Sequence, residues 1–250
     1  MPAENIEGKT IYSTLRIKDL LNNRQSLAMH DQNLRQELKK IKPVIIDEVS
    51  MVSAEMLSFI MFISNLFMKL HNKPIEFGSA PILLIRDLAQ LPPIKGAQAF
   101  FSPAWKRFFP LFLSFSRRQQ NDLPFYALLQ NMRMGMITDD DRNMILEKVK
   151  QPPTTSTPSE TTFVTGFKQL AHNLNTTIAS QLPLQNVFLH TVHKTQGLTL
   201  PHTITVSLDT SMFACGQAYI DMSRVTSWQD LDIMYFDLVS IKADKRVIKE

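Results

Sequence analysis

Two adjacent carboxylates, Asp47 and Glu48, directly follow a run of three β-branched residues, Val44–Ile46. A continuous apolar run led in by a proline is typical of a buried strand that a parallel sheet covers on both faces. Ligands of open α/β sheets bind beyond the carboxyl ends of the strands, where these two acids stand. In phosphate-handling enzymes one such acid holds a metal ion and its neighbour polarises the attacking water. The alternative interpretation is a strand that ends in two solvated acids.

Three further segments carry residues suited to phosphate chemistry. A second apolar strand is predicted at 81–85, and the loop after it contains Gln90. Residues 191–199 read Thr-Val-His-Lys-Thr-Gln-Gly-Leu-Thr, and residues 216–226 contain Arg224. In this order, the acid pair and these segments resemble motifs II, III, V and VI of the superfamily 1 DNA helicases. They are most similar to the Pif-type (petite integration frequency) helicases, which are related to RecD, and the resemblance covers nearly the whole chain.

The resemblance implies a fold and a set of roles. The fold would be α/β, with two RecA-like parallel-sheet domains that have helices on both faces and bind ATP and Mg²⁺ in the cleft between them. Asp47 would hold the Mg²⁺, Glu48 would activate the water, and Gln90 would sense the γ-phosphate. Arg118 and Arg224 would be the fingers that reach this phosphate, and such a finger contributes about 10³–10⁵ in rate.

Each arginine also has a simpler interpretation. Arg118 could form an unspecific basic pair with Arg117, although only Arg118 keeps the motif IV spacing of the family to Gln119 and to the following helix. Arg224 could instead form a surface salt bridge.

Two segments are predicted to contact DNA. Residues 5–13 resemble motif Ia, which contacts single-stranded DNA in this family, and the hydroxyl groups, lysine and glycine of 191–199 suit a loop that grips phosphates. Tyr12 stands where the family usually has histidine, and its ring could stack on a base or pack at a strand–helix junction. The predicted single-stranded DNA contacts are Asn5, Thr10, Tyr12, Ser13, Thr191, His193, Lys194, Thr195 and Thr199. The predicted ATP contacts are Asp47, Gln90, Gln196 and Gly197.

Composition narrows the class of protein. The 250 residues are 44% hydrophobic and 20% charged, which is typical of a globular protein with a buried core. The net charge of +4 favours a polyanionic partner only weakly. The single cysteine, Cys215, excludes an internal disulfide and suits a reducing compartment. The first residues lack the features of a signal peptide, and no apolar stretch is long enough to span a bilayer. With the resemblance, this implies an intracellular protein, nuclear or mitochondrial, whose oligomeric state the sequence does not indicate.

The pattern predicts a truncated first RecA-like domain at 1–150, a linker at 151–160 and a second RecA-like domain at 161–250. The linker contains three prolines and five hydroxyl residues, which have little to bury. Helices are predicted at 31–40, with Leu34 and Leu38 on its apolar face, and after Ser53, which is expected to be the N-cap. Further helices are predicted from Phe125 to Gly135, from Thr138 to Lys150, where Thr138 and Asp141 form a capping box, and at 167–178. Strands are predicted at 111–116, where apolar residues alternate weakly, and at 161–165, 186–189, 203–208 and 233–236, and the aromatic residues between 100 and 109 are expected to pack locally under a loop.

The chain departs from the family pattern in four places. None of its seven glycines belongs to a G-x-x-x-x-G-K-[ST] phosphate-binding loop, and the sequence begins at motif Ia. The barrel-like insertion of the family is reduced to residues 179–190. Arg86 replaces a glycine and is expected to strain its loop, whereas Asp221 replaces a small apolar residue and is expected to add a negative charge near Arg224.

Three functions follow from these observations. The first is a fragment of an ATP-dependent DNA helicase that couples ATP hydrolysis to unwinding in DNA repair, recombination or telomere maintenance, with deficient hydrolysis on its own. The second is a non-catalytic remnant that binds single-stranded nucleic acid. The third is an interaction scaffold that retains only the fold.

Overall fold

The structure is a computed structural model that describes residues 8–20, 23–41, 43–67, 81–113, 115–152, 162–165, 189–191, 198–200 and 203–247. The chain forms two compact units. Unit 1 comprises Met1–Asp87 and Pro92–Pro110, and unit 2 comprises Leu88–Leu91 and Leu111–Glu250. No helix among the described residues has the length and apolar character needed to cross a membrane.

This division differs from the boundary expected at 151–160. Residues 111–150 belong to unit 2 because the helices in this stretch bury Phe125, Leu128 and Ile145 in the core of that unit. A proline-rich composition indicates a segment with little to bury, but such a segment can also be a loop inside one unit. Most of the segment lies outside the described residues.

The described residues of unit 1 form three α-helices and two small sheets. Helix α1 (Ile11–Leu15) is followed by the antiparallel pair β1 (Ile17–Leu20) and β2 (Asn23–Ser26), and then by α2 (Gln32–Lys40). Strands β3 (Val44–Ile46) and β4 (Ile82–Leu84) pair in parallel, and α3 (Ala54–Phe67) lies between them in sequence. Short 3₁₀ helices span Leu27–Met29, Val49–Met51, Ala99–Phe101 and Pro103–Arg107.

Local sequence accounts for the helices of unit 1. Asp31 caps α2 by accepting hydrogen bonds from the N–H groups of the first turn, and Leu34 and Leu38 are buried on one face, as predicted. Ser53 Oγ accepts the N–H of Met56 at 3.2 Å, which confirms its predicted role as the cap of α3.

The β3–β4 pair is covered on one face only, contrary to the prediction. Ile46 is buried in the core with the residues of α3, but Ile45 and Leu83 are 54% and 48% exposed. The two exposed residues are direct neighbours in the register, so they form an apolar patch on the other face. A parallel sheet normally has both faces buried, and this exposed face is therefore a departure from the usual arrangement.

The stretch of unit 2 that begins at Leu111 also departs from prediction. The sequence predicts a strand at 111–116, but residues 111–113 and 115–116 have no regular structure, and Leu113 is 96% exposed. Alternation of residue types does not make a strand without a neighbouring strand to share hydrogen bonds. The aromatic residues before it do pack locally as predicted, with the Phe100 and Phe101 ring centroids 4.7 Å apart, except that Phe109 is exposed.

Unit 2 is built on a four-stranded parallel sheet. Its strands are β5 (Thr162–Thr165), β6 (Leu189–Thr191), β7 (Ile204–Leu208) and β8 (Leu231–Phe236), in the order β6-β5-β7-β8. Its described residues form the helices α4 (Leu123–Met134), α5 (Asp139–Lys150) and α6 (Gln217–Met222), with 3₁₀ helices at Trp228–Asp230 and Leu238–Ser240. The predicted strands near 161–165, 203–208 and 233–236 are thus confirmed to within two residues.

Caps end and start the helices of unit 2 where the sequence predicts them. Gly135 ends α4 with a φ of 66°, which a glycine adopts without strain. Thr138 and Asp141 form the predicted capping box of α5. The predicted helix at 167–178 and residues 186–188 of a predicted strand lie outside the described residues.

Candidate functional site

The acid pair of unit 1 lies at the carboxyl end of the parallel strands. Asp47 and Glu48 follow β3, and the N–H of Val49 donates to the carbonyl of Ile85, just beyond β4, at 3.1 Å. Asp47 is exposed and Glu48 is half-buried. Open α/β sheets bind ligands at this edge, and the sequence predicts that the two acids lie there.

Glu48 has a strained backbone. Its φ of 52° and ψ of 46° are left-handed, and Arg16 is the other non-glycine residue with positive φ in the described part of the chain. The N–H of Glu48 donates to Asp47 Oδ1 at 2.9 Å, which supports this conformation. Left-handed backbone costs a non-glycine residue about 1–3 kcal/mol and is concentrated at functional sites.

The chemistry of Asp47 fits the Mg²⁺ that the family implies. Magnesium is usually held by one or two carboxylates together with water and substrate phosphates, and an exposed carboxylate at a strand end meets that requirement. Within the described ranges no group of three or more His, Cys, Asp or Glu residues could form an all-protein metal site.

Arg86 does not strain its loop. Its φ is not positive, and its guanidinium carbon lies 4.4 Å from the centroid of the Trp105 ring. The expectation drawn from the glycine at this family position is therefore wrong, because the side chain has a stacking partner and the backbone is ordinary.

A basic cleft lies beside the predicted DNA-contacting segment of unit 1. It has a volume of about 500 Å³ and an open mouth. Helix α1 starts at this segment, where Thr10 Oγ1 accepts the N–H of Ser13 at 3.1 Å, and Tyr12 is 46% exposed. The cleft is lined by Lys9, Ser13, Thr14, Arg16, Leu34, Glu37, Leu38, Lys40 and Ile41. The lining contains three cationic side chains and one carboxylate, so its positive charge favours the binding of an anion.

The sequence does not reveal this cleft. Lys9, Arg16 and Lys40 are separated by up to 31 positions, so no local motif joins them, and only the tertiary fold brings them to the same cleft. Arg16 Nη1 also binds Asp31 Oδ2 at 3.1 Å, which holds its guanidinium in place. Asn5 lies outside the described residues.

The two predicted arginine fingers meet in unit 2. Arg224 is 1% exposed, and its guanidinium donates to the carbonyls of Ile220 (2.8 Å) and Leu198 (3.1 Å). Its Nη2 donates to Ser223 Oγ at 2.8 Å, and Arg118 Nη1 donates to the carbonyl of Ser223 at 2.9 Å. A surface salt bridge is thus excluded for Arg224, because this side chain is buried.

Asp221 lies near the end of α6, three residues before Arg224. Its side chain is fully buried, and neither carboxyl oxygen has a hydrogen-bond partner among the described residues. Burial raises the pKa of Asp221 well above its ordinary value, and the positive charge of Arg224 only partly opposes this. The expected additional negative charge is therefore disfavoured, because burial favours the protonated form.

Gln90 lies in a four-residue segment, Leu88–Leu91, that belongs to unit 2. The backbone of this segment packs on Gly216 so closely that a β-carbon at position 216 would collide with the carbonyl oxygen of Ala89. Gly216 also has a φ of 80°, so only glycine allows this approach without strain. Gln90 Oε1 is buried and has no partner in the part of the chain that the structure describes.

The segment predicted to grip phosphates is described only at its ends. Thr191 ends β6, at the carboxyl edge of the sheet, and Thr199 is exposed. His193, Lys194, Thr195, Gln196 and Gly197 lie outside the described residues.

Comparison with known proteins identifies the family. Residues 1–143, more than half of the chain, match the family model of PIF1-like helicases. The chain belongs to the PIF1-like helicase family. It is 24% identical to the ATP-dependent DNA helicase PIF1 of Homo sapiens, in a match that covers 86% of this chain and 49% of that protein. It is 30% identical to PIF1 of Saccharomyces cerevisiae, over 61% of this chain and 18% of that protein.

Solved Pif1 structures share the fold. The Pif1 helicase from Candida albicans matches with a TM-score of 0.82 at 17% identity, covering 98% of this chain and 84% of that chain. Bacteroides Pif1 bound to single-stranded DNA matches with a TM-score of 0.79 at 18% identity, covering 99% and 84%. The predicted RecA-like α/β class is thereby confirmed. The chain nevertheless spans only about half the length of its human relative, 49%.

Proposed function

We propose that this chain acts as part of an ATP-dependent DNA helicase of the Pif type, which couples ATP hydrolysis to DNA unwinding. The observation that carries the proposal is the acid pair Asp47 and Glu48, with a strained backbone at Glu48, at the carboxyl end of the parallel strands of unit 1. Family membership supports it, since the matched relatives are named ATP-dependent DNA helicases. A nuclear or mitochondrial location belongs to the same proposal.

The roles divide by chemistry. Asp47 would hold Mg²⁺, which when bound neutralises charge on the nucleotide phosphates. Glu48 would orient the attacking water and accept its proton, and Gln90, whose amide oxygen is buried without a partner among the described residues, would sense the γ-phosphate. Arg118 and Arg224 would stabilise charge on the transferring phosphoryl group, which requires them to exchange their present carbonyl partners for phosphate oxygens.

The cleft of unit 1 would bind the DNA backbone. Lys9, Arg16 and Lys40 supply positive charge, and Ser13 supplies a hydroxyl donor. The ring of Tyr12, which is 46% exposed, would stack on a base. These groups recognise phosphate and any base, so the substrate would be single-stranded DNA without sequence preference.

Binding of single-stranded DNA without hydrolysis is the second candidate. It is favoured by one sequence observation, that the 250 residues contain no G-x-x-x-x-G-K-[ST] pattern to cradle the triphosphate. Positioning supplies most of phosphoryl-transfer catalysis, so DNA-stimulated turnover by this chain should fall many orders of magnitude below that of a helicase. Restored turnover in a version extended by a family-type phosphate-binding loop would favour the first candidate.

Phosphate release and DNA binding test the two candidates together. The phosphate assay compares the chain, its loop-extended form and a Glu48→Gln variant of each. Turnover by the unextended chain that Glu48→Gln abolishes would contradict the expected deficiency.

Fluorescence anisotropy with a labelled oligothymidylate measures DNA binding. Lys40→Ala should weaken binding, whereas Lys106→Ala, an exposed lysine of unit 1 outside the cleft lining, should not. The logarithm of the affinity should fall with the logarithm of salt concentration by roughly 0.7 per neutralised phosphate. Affinity that is insensitive to salt would refute DNA binding.

A further inference from the structure

Two adjacent side chains in the turn before α4 bind the carbonyls on either side of Arg224. Arg118 Nη1 donates to the carbonyl of Ser223, and Gln119 Nε2 donates to the carbonyl of Val225, each at 2.9 Å. Gln119 is only 5% exposed. The turn at 118–119 thus holds the backbone on both sides of Arg224.

The amide of Gln119 has a fixed orientation. Ser116 Oγ donates to Gln119 Oε1 at 3.1 Å, so the oxygen is engaged and the NH₂ group faces Val225. A side chain without a donor at this position would leave the buried carbonyl of Val225 without that partner, which costs more than the hydrogen bond itself contributes.

Arg224 in turn fastens the segment 198–200. Its guanidinium donates to the carbonyl of Leu198 at 3.1 Å, and its own carbonyl accepts the N–H of Leu200 at 2.9 Å. Thr199 lies between these two bonds and is exposed. A single residue therefore fixes the backbone on both sides of a threonine for which the sequence predicts a contact with DNA.

We propose that Gln119 is a positioning residue for the DNA-gripping segment. It holds the carbonyl of Val225, this fixes Arg224, and Arg224 fixes the backbone around Thr199. The turn at 118–119 thereby sets the geometry with which Thr199 meets a DNA phosphate. The proposal rests on the proposed function, because it assigns Thr199 to the DNA interface.

Hydrogen exchange at the Leu200 amide is the direct test. In Gln119→Glu the introduced carboxylate cannot donate to Val225, so Arg224 loosens and the Leu200 amide should exchange about fivefold to tenfold faster, the equivalent of about one net hydrogen bond. The matched control is Gln120→Glu, the same change at the exposed neighbouring glutamine. Exchange at the Val206 amide, in the middle of β7, reports general unfolding and should not change in either variant.

A second variant and DNA binding complete the test. Gln119→Met removes the donor without adding charge, and it replaces the first variant if that one fails to fold. Both Gln119 variants should bind the oligothymidylate several-fold more weakly at unchanged Val206 exchange, and Gln120→Glu should bind like the parent chain. Unchanged Leu200 exchange in the Gln119 variants, or an equal increase in Gln120→Glu, would overturn the positioning role. A parent chain that does not bind the oligonucleotide would instead refute the proposed function, while the exchange result would still decide whether the hydrogen bond from Gln119 to the carbonyl of Val225 positions Arg224.

Discussion

The predicted catalytic side chains of the two units have opposite environments. In unit 1, Asp47 is exposed, Glu48 is half-buried in a strained backbone, and the sheet that carries them is covered on one face only. In unit 2, Arg224 is almost fully buried, and carbonyl and hydroxyl oxygens accept hydrogen bonds from its guanidinium. The acids can bind a ligand without disturbing the packing of unit 1, whereas the hydrogen bonds of the buried arginine also stabilise unit 2. Substitutions should therefore separate chemistry from stability in unit 1 and combine them in unit 2.

The largest difference is expected between Arg224→Ala and Asp47→Ala. Removing the Arg224 side chain leaves the carbonyls of Ile220 and Leu198 without this donor and opens a cavity in the buried site, so the free energy of unfolding should fall by about 3 kcal/mol or more. Asp47→Ala is a surface change and should alter it by less than about 0.5 kcal/mol. Urea denaturation followed by circular dichroism measures both, and equal effects would remove the contrast between the units.

The pH dependence of stability tests the buried carboxyl of Asp221. Its folded pKa is raised above the unfolded value, so the folded state binds the proton more tightly. The contribution of this proton to the free energy of unfolding is fully present below the unfolded pKa near 3.8. It is lost as the pH rises towards the folded pKa, by about 1.4 kcal/mol for each pH unit in that window. Asp221→Asn should therefore be more stable than the parent chain at neutral pH, by an advantage that shrinks towards pH 4. An advantage that does not vary with pH would show that the carboxyl does not titrate in this way.

Backbone strain at Glu48 offers a third comparison. Glu48→Gly should raise the free energy of unfolding by about 1 kcal/mol, because glycine adopts the left-handed conformation without the cost carried by glutamate. Glu48→Ala removes the same carboxylate but keeps the strain, and it serves as the matched control. Equal stability of the two variants in urea denaturation would mean that Glu48 is not strained.

The smallest effect is expected at Arg86. Arg86→Ala should lower the free energy of unfolding by about 0.5–1 kcal/mol through loss of the contact with the Trp105 ring. Arg86→Gly should lower it further, because glycine adds backbone entropy to the unfolded chain. Urea denaturation followed by tryptophan fluorescence compares the variants, and a stabilising Arg86→Gly would restore the interpretation based on the family glycine.

The sequence predicts the features that depend on residues close together along the chain. The strand before Asp47, the cap at Ser53 and the capping box at Thr138 follow from neighbouring residues, and each is confirmed. The cleft that contains Lys9 and Lys40 could not be predicted, because these residues become neighbours only through tertiary packing. The strain predicted at Arg86 is wrong, whereas Asp221 lies near Arg224 as expected, but in a buried site that favours its protonated form. The residue that is usual at a family position does not indicate which partner, or how much burial, its replacement finds.

The four residues Leu88–Leu91 have a consequence for dissecting or recombining the protein. Leu91 is 1% exposed and belongs to the same core as Phe125 and Ala218, and the backbone beside it requires the glycine at 216. A cut at residue 111 would therefore discard a side chain that unit 2 needs, although the cut leaves its sheet intact. Exchange of the stretch after residue 111 between relatives would likewise separate Leu91 from the partners with which it fits. The two units therefore cannot be exchanged independently between relatives, because the segment Leu88–Leu91 and the C-terminal part of the chain must change together.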